Sequence, residues 1–486
     1  MSVSKVVSRN VLFLMLGDVV HKIASILFST LVARQIGAES FGVFSIALVL
    51  AGLVAVVADP GVSQILYRNL SENKEPSPFL VGAGVSLVLL LLPLSLLCLV
   101  ALAFVFKYPP NVFRVIAVVG LGVLVLQVRQ IYFSAFKAVS RSQLVAVGMW
   151  IESLLLIGSA AAIVKRNLDL PQIAWLYLLI CLLSAVFAGL LYYIRIEMSY
   201  RLSSPAYMWG VLRQALPLGL QSLMILIYLY ADSVMLSLMF SSEVIGYYRA
   251  AYALVTALNI IGTALSSSVF PFFVRLQAND RNRLDEAYHK TMKYLLALGC
   301  GIAMGTTLLA NKIILFFYGS GFSTSILPLQ VLIWSEALIF LSFATNAVLL
   351  AQNRRWALVQ GTALAAILNV ALNMLIIRFY GAVGAASTTV ATEVFALCFL
   401  LWQARRSGIC FDRRWLSDLG RVGLACALMG LVLLLGANLP LILLVVLGAV
   451  VYGYVLLFVG FLDGTDIDLA KQVFTWTERQ PRVDSH

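Results

Sequence analysis

The sequence predicts an all-α polytopic membrane protein with fourteen transmembrane helices. Of its 486 residues, 62% are hydrophobic and only 12% are charged, whereas a typical soluble domain carries roughly 25% charged residues. The apolar residues form long runs, close to the roughly 20 residues with which a helix crosses a bilayer core about 30 Å thick. Strands of a membrane barrel would instead be about 10 residues of alternating polarity, and these runs show no such alternation.

The apolar runs follow one another with short connections along nearly the whole chain. The predicted spans are residues 11–34, 41–66, 79–106, 112–136, 143–164, 171–194, 211–239, 244–273, 291–317, 326–352, 356–378, 382–404, 419–438 and 440–461. The basic start, residues 1–10, leads into the first span and is predicted to belong to a retained helix, because a second span follows almost directly. Residues 463–486 form a predicted cytoplasmic tail, and both an interfacial helix and a solvated segment fit it.

The short connections leave little room for a soluble active site, so we expect a protein that is not an enzyme. No Walker-type phosphate-binding loop and no zinc-like spacing of Cys or His occurs, and neither a cofactor nor a bound metal is predicted. The net charge of +12 comes from basic residues between apolar spans, which argues against a nucleic-acid partner. The six scattered cysteines are interpreted as free packing thiols: Cys98, Cys181, Cys300, Cys398, Cys410 and Cys426.

The basic residues predict the orientation of the chain. With the N-terminus inside, the cytoplasmic segments hold 24 Lys and Arg residues, the outer segments hold 8, and Lys22 and Arg129 lie within spans. This alternating excess is the pattern of the positive-inside rule. We therefore expect a multi-pass protein of the cytoplasmic (inner) membrane with both termini in the cytoplasm.

Weak internal similarity predicts two lobes. A set of residues near spans 1–2 recurs 204 positions later, near spans 7–8: Arg9, Asn10, Ser29, Glu39 and Gly42 correspond to Arg213, Gln214, Ser233, Glu243 and Gly246. A second set recurs 213 positions later: Ala138, Arg141 and Gly148 correspond to Ala351, Arg354 and Gly361. Six spans separate the copies, and an even number of crossings makes the repeat parallel. The predicted units are a six-helix lobe over 1–204, a second over 205–417, two appended helices over 418–462 and the tail.

Polar side chains form stripes on three spans. The first stripe lies within about 60° on span 1 at 100° per residue and contains Asp18, Lys22, Ser25 and Ser29. The second lies on span 7 and contains Gln214, Gln221, Tyr228 and Asp232. The third lies on span 11 and contains Thr362, Asn369 and Asn373. Stripes on helices of both lobes predict a hydrated cavity between the lobes.

Ionisable residues within spans are candidates for function, because burying a charge at the bilayer centre costs about 2.5–3.5 kcal/mol on insertion scales. At ~1.5 Å per residue, a group in the first lobe lies roughly 12–18 Å from the inner edge: Asp18 to Lys22, Asp59, Arg129 and Glu152. Arg129 and Glu152 lie on antiparallel neighbouring spans at similar depth, which permits an ion pair. Glu336 and Glu393 lie near the midplane of the second lobe.

Each candidate also has a structural interpretation. Arg129 and Glu152 fit a purely structural ion pair, and Lys22 fits a partner that neutralises Asp18 or Asp59. Asp59 precedes Pro60-Gly61, so it fits a kink or cap equally well. His21 is a candidate proton relay, and the Asn stripe fits hydrogen bonding between helices as well as ligand binding.

The opening of the chain resembles a known family. The residues that carry the resemblance are Arg9-Asn10, the run Ala33–Gly42 of the form Ala-Arg-x-x-Gly-x-x-x-Phe-Gly, and Asp59-Pro60-Gly61 with Arg68 beyond it. They are similar to polysaccharide transport proteins, the O-antigen and exopolysaccharide flippases of the multidrug/oligosaccharidyl-lipid/polysaccharide exporter superfamily. Span number and the six-plus-six repeat extend the resemblance over about residues 1–404.

The resemblance implies a substrate and a mechanism. The substrate would be a polyprenyl-pyrophosphate-linked glycan moved between the leaflets of the lipid membrane by two rocking lobes, with a proton or sodium gradient as the driving force. Burial then suggests roles: Lys22 and Arg129 for the pyrophosphate, a glycan set of Gln214, Gln221, Asn369 and Asn373, and a coupling-ion set of Asp59, Glu152, Glu336 and Glu393. A polysaccharide polymerase and glycosyltransferases are the expected partners.

Two other functions in the same superfamily remain open. A multidrug or organic-cation antiporter would favour a cavity dominated by carboxylates, and a lipid II flippase would favour a more strongly cationic one. A membrane-bound glycosyltransferase or polymerase would need longer outer loops, and a structural scaffold would not need ionisable residues from several helices at one depth.

Overall fold

A computed structural model describes residues 3–72, 78–196, 203–409 and 414–461. Within these ranges the regular structure is helical, which confirms the predicted all-α class. Besides a 3-10 helix at Ser320–Ser325, the helices are α1 Val3–Ala58, α2 Val62–Glu72, α3 Pro78–Val105, α4 Pro110–Ala138, α5 Ser142–Arg166, α6 Leu170–Ile196, α7 Pro205–Met239, α8 Ser242–Ala257, α9 Asn259–Asn279, α10 Arg281–Phe317, α11 Ile326–Ala351, α12 Arg355–Arg406, α13 Arg414–Leu435 and α14 Leu441–Phe458. The predicted tail and Cys410 lie outside the described residues.

Twelve segments of the described chain are long and apolar enough to cross a membrane. Two of them, Leu12–Ala58 and Arg355–Arg406, are 47 and 52 residues long. A straight helix of 52 residues would extend about 78 Å, more than twice the bilayer core of about 30 Å. Each segment instead turns at one glycine in the left-handed region, Gly37 with φ 75° and Gly381 with φ 52°. These two segments are therefore each long enough for two crossings.

Two predicted spans are interrupted in the structure. Span 41–66 ends its helix at Ala58, and α2 starts after the turn at Asp59-Pro60-Gly61. Gly61 has φ 92°, and a Cβ there would lie 2.8 Å from the Leu218 side chain of α7. Span 244–273 is divided between α8 and α9 at Leu258. The second break lies beside the cavities described below, since Thr256 and Asn259 line them.

Helix α1 is the central packing element of the first half of the chain. It contacts α3, α4 and α5, and it also reaches across to α7 and α8. In the second half α11 packs between α10 and α12, and α12 returns to α7. The pair α13–α14 packs on α10, where the Tyr452 hydroxyl donates to the Ala297 carbonyl at 2.6 Å and Lys312 Nζ donates to the Leu439 carbonyl at 2.8 Å.

The second arm of α1 crosses α8 at backbone contact. A Cβ built on Gly42 would lie 1.7 Å from the Ser242 carbonyl oxygen, and one built on Gly246 would lie 2.0 Å from the Ala38 carbonyl oxygen. Glycine at both positions lets the two backbones approach. Residues 38 and 42 are each 204 positions from their counterparts 242 and 246. Such reciprocal contact is the pattern of surfaces related by a two-fold axis.

Arg34 adds a second connection at this end of the bundle. Its Nε donates to the Phe317 carbonyl at 2.7 Å, and its Nη2 donates to the carbonyls of Leu315 and Phe316. These carbonyls end α10, where a cation is favoured by the helix dipole. The two halves of the chain are thus held together where α1 turns at Gly37.

Candidate substrate cavities

The first cavity, which we call the cationic cavity, has a volume of about 340 Å³ and lies among both arms of α1, α4, α5, α6 and α8. Its polar lining consists of His21, Lys22, Ser25, Ser29, Ser45, Arg129, Glu152, Tyr177, Arg249 and Thr256. Three guanidinium or ammonium groups and one carboxylate therefore face one hollow. Both predicted phosphate ligands, Lys22 and Arg129, line this cavity.

Arg129 and Glu152 form the ion pair that their spacing on neighbouring spans permits. Arg129 Nη1 donates to Glu152 Oε2 and also to Ser184 Oγ at 3.0 Å. The two side chains are 15% and 7% exposed, and the guanidinium stacks 5.0 Å from the centre of the Phe133 ring. His21 Nδ1 lies 3.9 Å from the same carboxylate oxygen. Removing either partner would leave an uncompensated buried charge, so loss of one of the two side chains is expected to destabilise the cavity wall.

Lys22 and Arg249 are differently placed, because neither forms a hydrogen bond or ion pair with the described part of the chain. Arg249 Nε and Nη1 are buried, and its guanidinium lies 5.0 Å from the centre of the Tyr252 ring. Lys22 interacts electrostatically with Glu336 across the gap between the two halves. The cavity thus presents two cations whose hydrogen-bonding capacity is available to a ligand.

Arg249 was not among the residues predicted for the site. Arg249 is one of the eight basic residues assigned to the outer segments, although it falls inside the predicted span 244–273. The structure places it about two turns into α8, facing the cationic cavity. The sequence could have identified Arg249 as a site residue, because it lies inside an apolar run and a cation in such a run is a functional candidate.

A second hollow, the carboxylate cavity, adjoins the first through Thr256, which lines both. Its volume is about 60 Å³, and Asp232, Glu336 and Glu393 line it. Glu336 is 2% exposed, and its Oε1 has no hydrogen-bond partner among the described groups. Glu393 accepts a hydrogen bond from the Tyr228 hydroxyl, and Asp232 accepts from Tyr248 and from the Ser233 amide.

A third hollow, the neutral cavity, has a volume of about 320 Å³ and lies among α7, α9, α11 and α12. It shares Tyr228, Asn259 and Glu393 with the carboxylate cavity. The rest of its polar lining is uncharged and consists of Thr263, Ser342, Asn346 and Thr362. The three cavities therefore form a continuous series from the first half of the chain into the second.

Five candidate residues line none of these cavities, namely Asp18, Asp59, Gln214, Gln221 and Asn373. Asp18 is exposed and interacts electrostatically with Lys137. Asp59 Oδ1 accepts from the Ser63 amide at 3.1 Å, so this carboxylate caps α2. Gln214 and Gln221 are exposed on α7 and line none of the three hollows.

The asparagines of span 11 are hydrogen-bonded inside α12. Asn373 Nδ2 donates to Asn369 Oδ1 at 2.9 Å, and Asn369 Nδ2 donates to Thr392 Oγ1 at 3.4 Å. The Thr388 hydroxyl donates to Asn373 Oδ1. These bonds join the two arms of α12 on either side of Gly381. Asn369 also reaches the carboxylate cavity, whereas Asn373 is fully buried.

Membrane-length helices that enclose buried ionisable groups and adjoining cavities define a polytopic membrane protein of transporter type. The chain belongs to the polysaccharide biosynthesis protein family, whose sequence model matches residues 7–277. It is 22% identical over 366 residues to the "probable low-salt glycan biosynthesis flippase Agl15" of Haloferax volcanii, and the alignment covers 74% of this chain and 75% of the relative. These matches confirm the resemblance drawn from the sequence.

Solved structures share the fold. The lipid II flippase MurJ in an inward closed conformation superposes with a TM-score of 0.71 at 16% identity, covering 92% of this chain and 98% of that one. An inward-facing multidrug resistance MATE family transporter of the MOP superfamily superposes with a TM-score of 0.64 at 15% identity, covering 79% and 94%. At these identities the likeness establishes the shared architecture alone.

Proposed function

We propose that this protein is a flippase that moves a polyprenyl-pyrophosphate-linked oligosaccharide from the cytoplasmic to the outer leaflet by alternating access. The observation that carries the proposal is that Lys22 and Arg249 face one cavity and have no hydrogen-bond partner among the residues that the structure describes. Membership of the polysaccharide biosynthesis family supports a glycan substrate. Agl15 and MurJ, both flippases by name, support movement of a lipid-linked glycan.

The chemistry of the cationic cavity suits a pyrophosphate. A guanidinium presents a planar fork that matches phosphate oxygens, and an ammonium adds a point charge beside it. Charge-assisted hydrogen bonds of this kind are strengthened where water is excluded. Arg129 faces the same hollow, but Glu152 and Ser184 already occupy its Nη1. We therefore assign the direct phosphate contacts to Lys22 and Arg249 and a supporting position to Arg129.

The proposed topology has fourteen crossings, with both termini in the cytoplasm of a cell with an inner membrane. The two long segments that turn at Gly37 and Gly381 support two crossings each. The reciprocal contact of Gly42 and Gly246 supports two lobes related by a parallel repeat, 1–204 and 205–417, with 418–462 appended. In this orientation the outer end of the bundle is closed, and release of substrate requires the two lobes to separate there.

The proposed energy source is a proton or sodium gradient acting at the carboxylate cavity. Glu336 and Glu393 are the best-placed candidates, because both are buried and both line this hollow within the second lobe. Glu152 is held by Arg129 and Asp59 caps α2, so these two carboxylates are proposed to have structural roles. Glycosyltransferases that build the lipid-linked glycan and a polymerase that consumes it are the proposed partners.

The alternative functions make different demands on the same cavity. An organic-cation substrate would meet like charge at Lys22 and Arg249, which disfavours the multidrug antiporter. A lipid II flippase would use the same pyrophosphate contacts, so the two glycan functions differ only in the sugar and peptide that follow.

The test is accumulation of lipid-linked glycan on the cytoplasmic face of cells that lack this protein. Wild-type protein is expected to relieve the accumulation, while Lys22→Gln and Arg249→Gln each restore little and the double variant restores none. Arg166→Gln is the control variant, because it removes one positive charge at the exposed end of α5. Full relief by the double variant at wild-type protein levels would overturn the assignment of the phosphate site.

A further inference from the structure

The neutral cavity contrasts with the cationic cavity in the chemistry of its lining. Its uncharged polar groups lie on four helices, Phe343 adds an aromatic side chain, and among the described lining residues Glu393 is the one that carries a charge. A hollow lined by apolar and aromatic groups with a few convergent hydrogen-bonding groups is typical of a small-molecule site. An anionic ligand finds no cation here, so the site suits a neutral molecule rich in hydroxyl groups.

Several of these polar groups are not used by the fold. Ser342 is 7% exposed, and its buried Oγ has no hydrogen-bond partner among the described residues. The side-chain amides of Asn259 and Asn346 likewise make no hydrogen bond within that part of the chain. A buried hydroxyl without a partner is costly in a helix bundle. Asn offers both donors and an acceptor, so the cavity can match the alternating donors and acceptors of sugar hydroxyls.

The carboxylate of Glu393 is positioned at the inner wall of the neutral cavity. The Tyr228 hydroxyl donates to one of its oxygens, which leaves the second oxygen available as an acceptor. A carboxylate has about four acceptor sites, so one hydrogen bond does not saturate it. Glu393 can therefore accept from a hydroxyl of a bound ligand while Tyr228 holds its orientation.

The neutral cavity lies within reach of the proposed phosphate contacts. Arg249 and Asn259 are ten positions apart along α8 and the start of α9, and Leu258 between the two helices keeps αR dihedrals, so the separation along the helix axis is about 15 Å. Thr256 lies between them and lines both the cationic and the carboxylate cavity. Asn259 lines the carboxylate and the neutral cavity. This distance exceeds one sugar ring, so the sugar joined directly to the phosphate does not reach the neutral cavity but a later one does.

We propose that the neutral cavity, through Ser342, Asn346, Asn259 and Glu393, binds a distal sugar of the glycan while its pyrophosphate occupies the cationic cavity. The proposal rests on the proposed flippase function and deepens it by locating the glycan in the second lobe. The subsite makes transport depend on glycan length, because a lipid with a single sugar leaves it empty. It replaces Gln214 and Gln221 as the sugar contacts.

The test is transport by the full-length protein in proteoliposomes with two probes that differ only in the glycan. The first is a polyprenyl pyrophosphate bearing one N-acetylhexosamine, and the second is the same lipid bearing a tetrasaccharide. Asn346→Leu and Ser342→Ala are expected to lower tetrasaccharide transport about two- to tenfold each, the range for one lost hydrogen bond. Transport of the single-sugar lipid is expected to stay at the wild-type rate. Ser387→Ala, an exposed serine bonded only to its own helix, is the matched control.

A second measurement separates binding from folding. Asn346→Cys labelled with a maleimide is expected to be protected by the tetrasaccharide lipid and not by the single-sugar lipid, relative to the parent chain labelled in parallel. Equal protection by both probes, or variants that slow both probes equally, would overturn the subsite and leave the flippase function standing. Wild-type protein that moves neither probe would instead overturn the proposed function.

Discussion

The α1 and α8 backbones touch at Gly42 and Gly246, and this contact allows a quantitative prediction for alanine at either position. Replacing Gly246 with alanine places a Cβ 2.0 Å from the Ala38 carbonyl oxygen, and replacing Gly42 places one 1.7 Å from the Ser242 carbonyl oxygen. Carbon and carbonyl oxygen ordinarily approach to about 3.3–3.6 Å. The helices must therefore separate by more than an ångström in either variant, and neither clash involves a side chain that can rotate away.

The energetic cost follows from that separation. Overpacking of a tightly packed interface costs typically about 1–3 kcal/mol, which corresponds to a shift of roughly 5- to 150-fold in the population of the closed end. We expect Gly42→Ala and Gly246→Ala to have similar effects, because the contact is reciprocal. The double variant should cost less than the sum of the two, because helices already separated by one methyl group accommodate the second.

The assay is thermal unfolding of the purified protein, with cysteine labelling at position 38 as a measure of opening. Gly158→Ala is the control, since a Cβ there meets no atom within 4 Å; filling such a site is neutral or stabilising by about 0.4–1 kcal/mol. Both crossing variants are expected to melt below this control and to label faster at position 38. Melting and labelling indistinguishable from Gly158→Ala would refute the argument that backbone contact holds this end closed.

Three further substitutions test individual contacts. Glu152→Ala leaves Arg129 buried without its carboxylate, at about 3–5 kcal/mol; we expect little folded protein by size-exclusion chromatography, with recovery on adding Arg129→Met. Asp59→Ala removes the cap of α2, at about 0.5–2 kcal/mol, whereas Asp59→Asn should keep both the melting temperature and transport; loss of transport in Asp59→Asn would revive its role in coupling. Arg34→Gln removes a charge from the C-terminus of α10, worth about 0.3–1 kcal/mol, so its melting temperature should fall more in low salt than in high salt.

Several features of this molecule could be predicted because they depend on local composition. Each membrane-length helix is visible as an apolar run, since a backbone in hydrocarbon must satisfy its own hydrogen bonds. The ion pair of Arg129 and Glu152 could also be predicted, because two consecutive antiparallel spans bring residues of equal depth side by side. The glycines at 42 and 246 were visible as a repeat, but their mutual contact was not, because a repeat gives equivalence and not proximity.

The helical class and the approximate spans could be predicted from the amino-acid order alone, because bilayer thickness and hydrophobicity act on each segment separately, and the motifs of the first 68 residues indicated the family. Which polar residues share a cavity depends on how the helices pack. The packing turned Arg249 towards Lys22, left Gln214 and Gln221 outside the hollows and bonded Asn373 within α12. The physical reason is that the position of a side chain around its helix selects a neighbour only after several helices have packed, and that packing is set by contacts far apart in the chain.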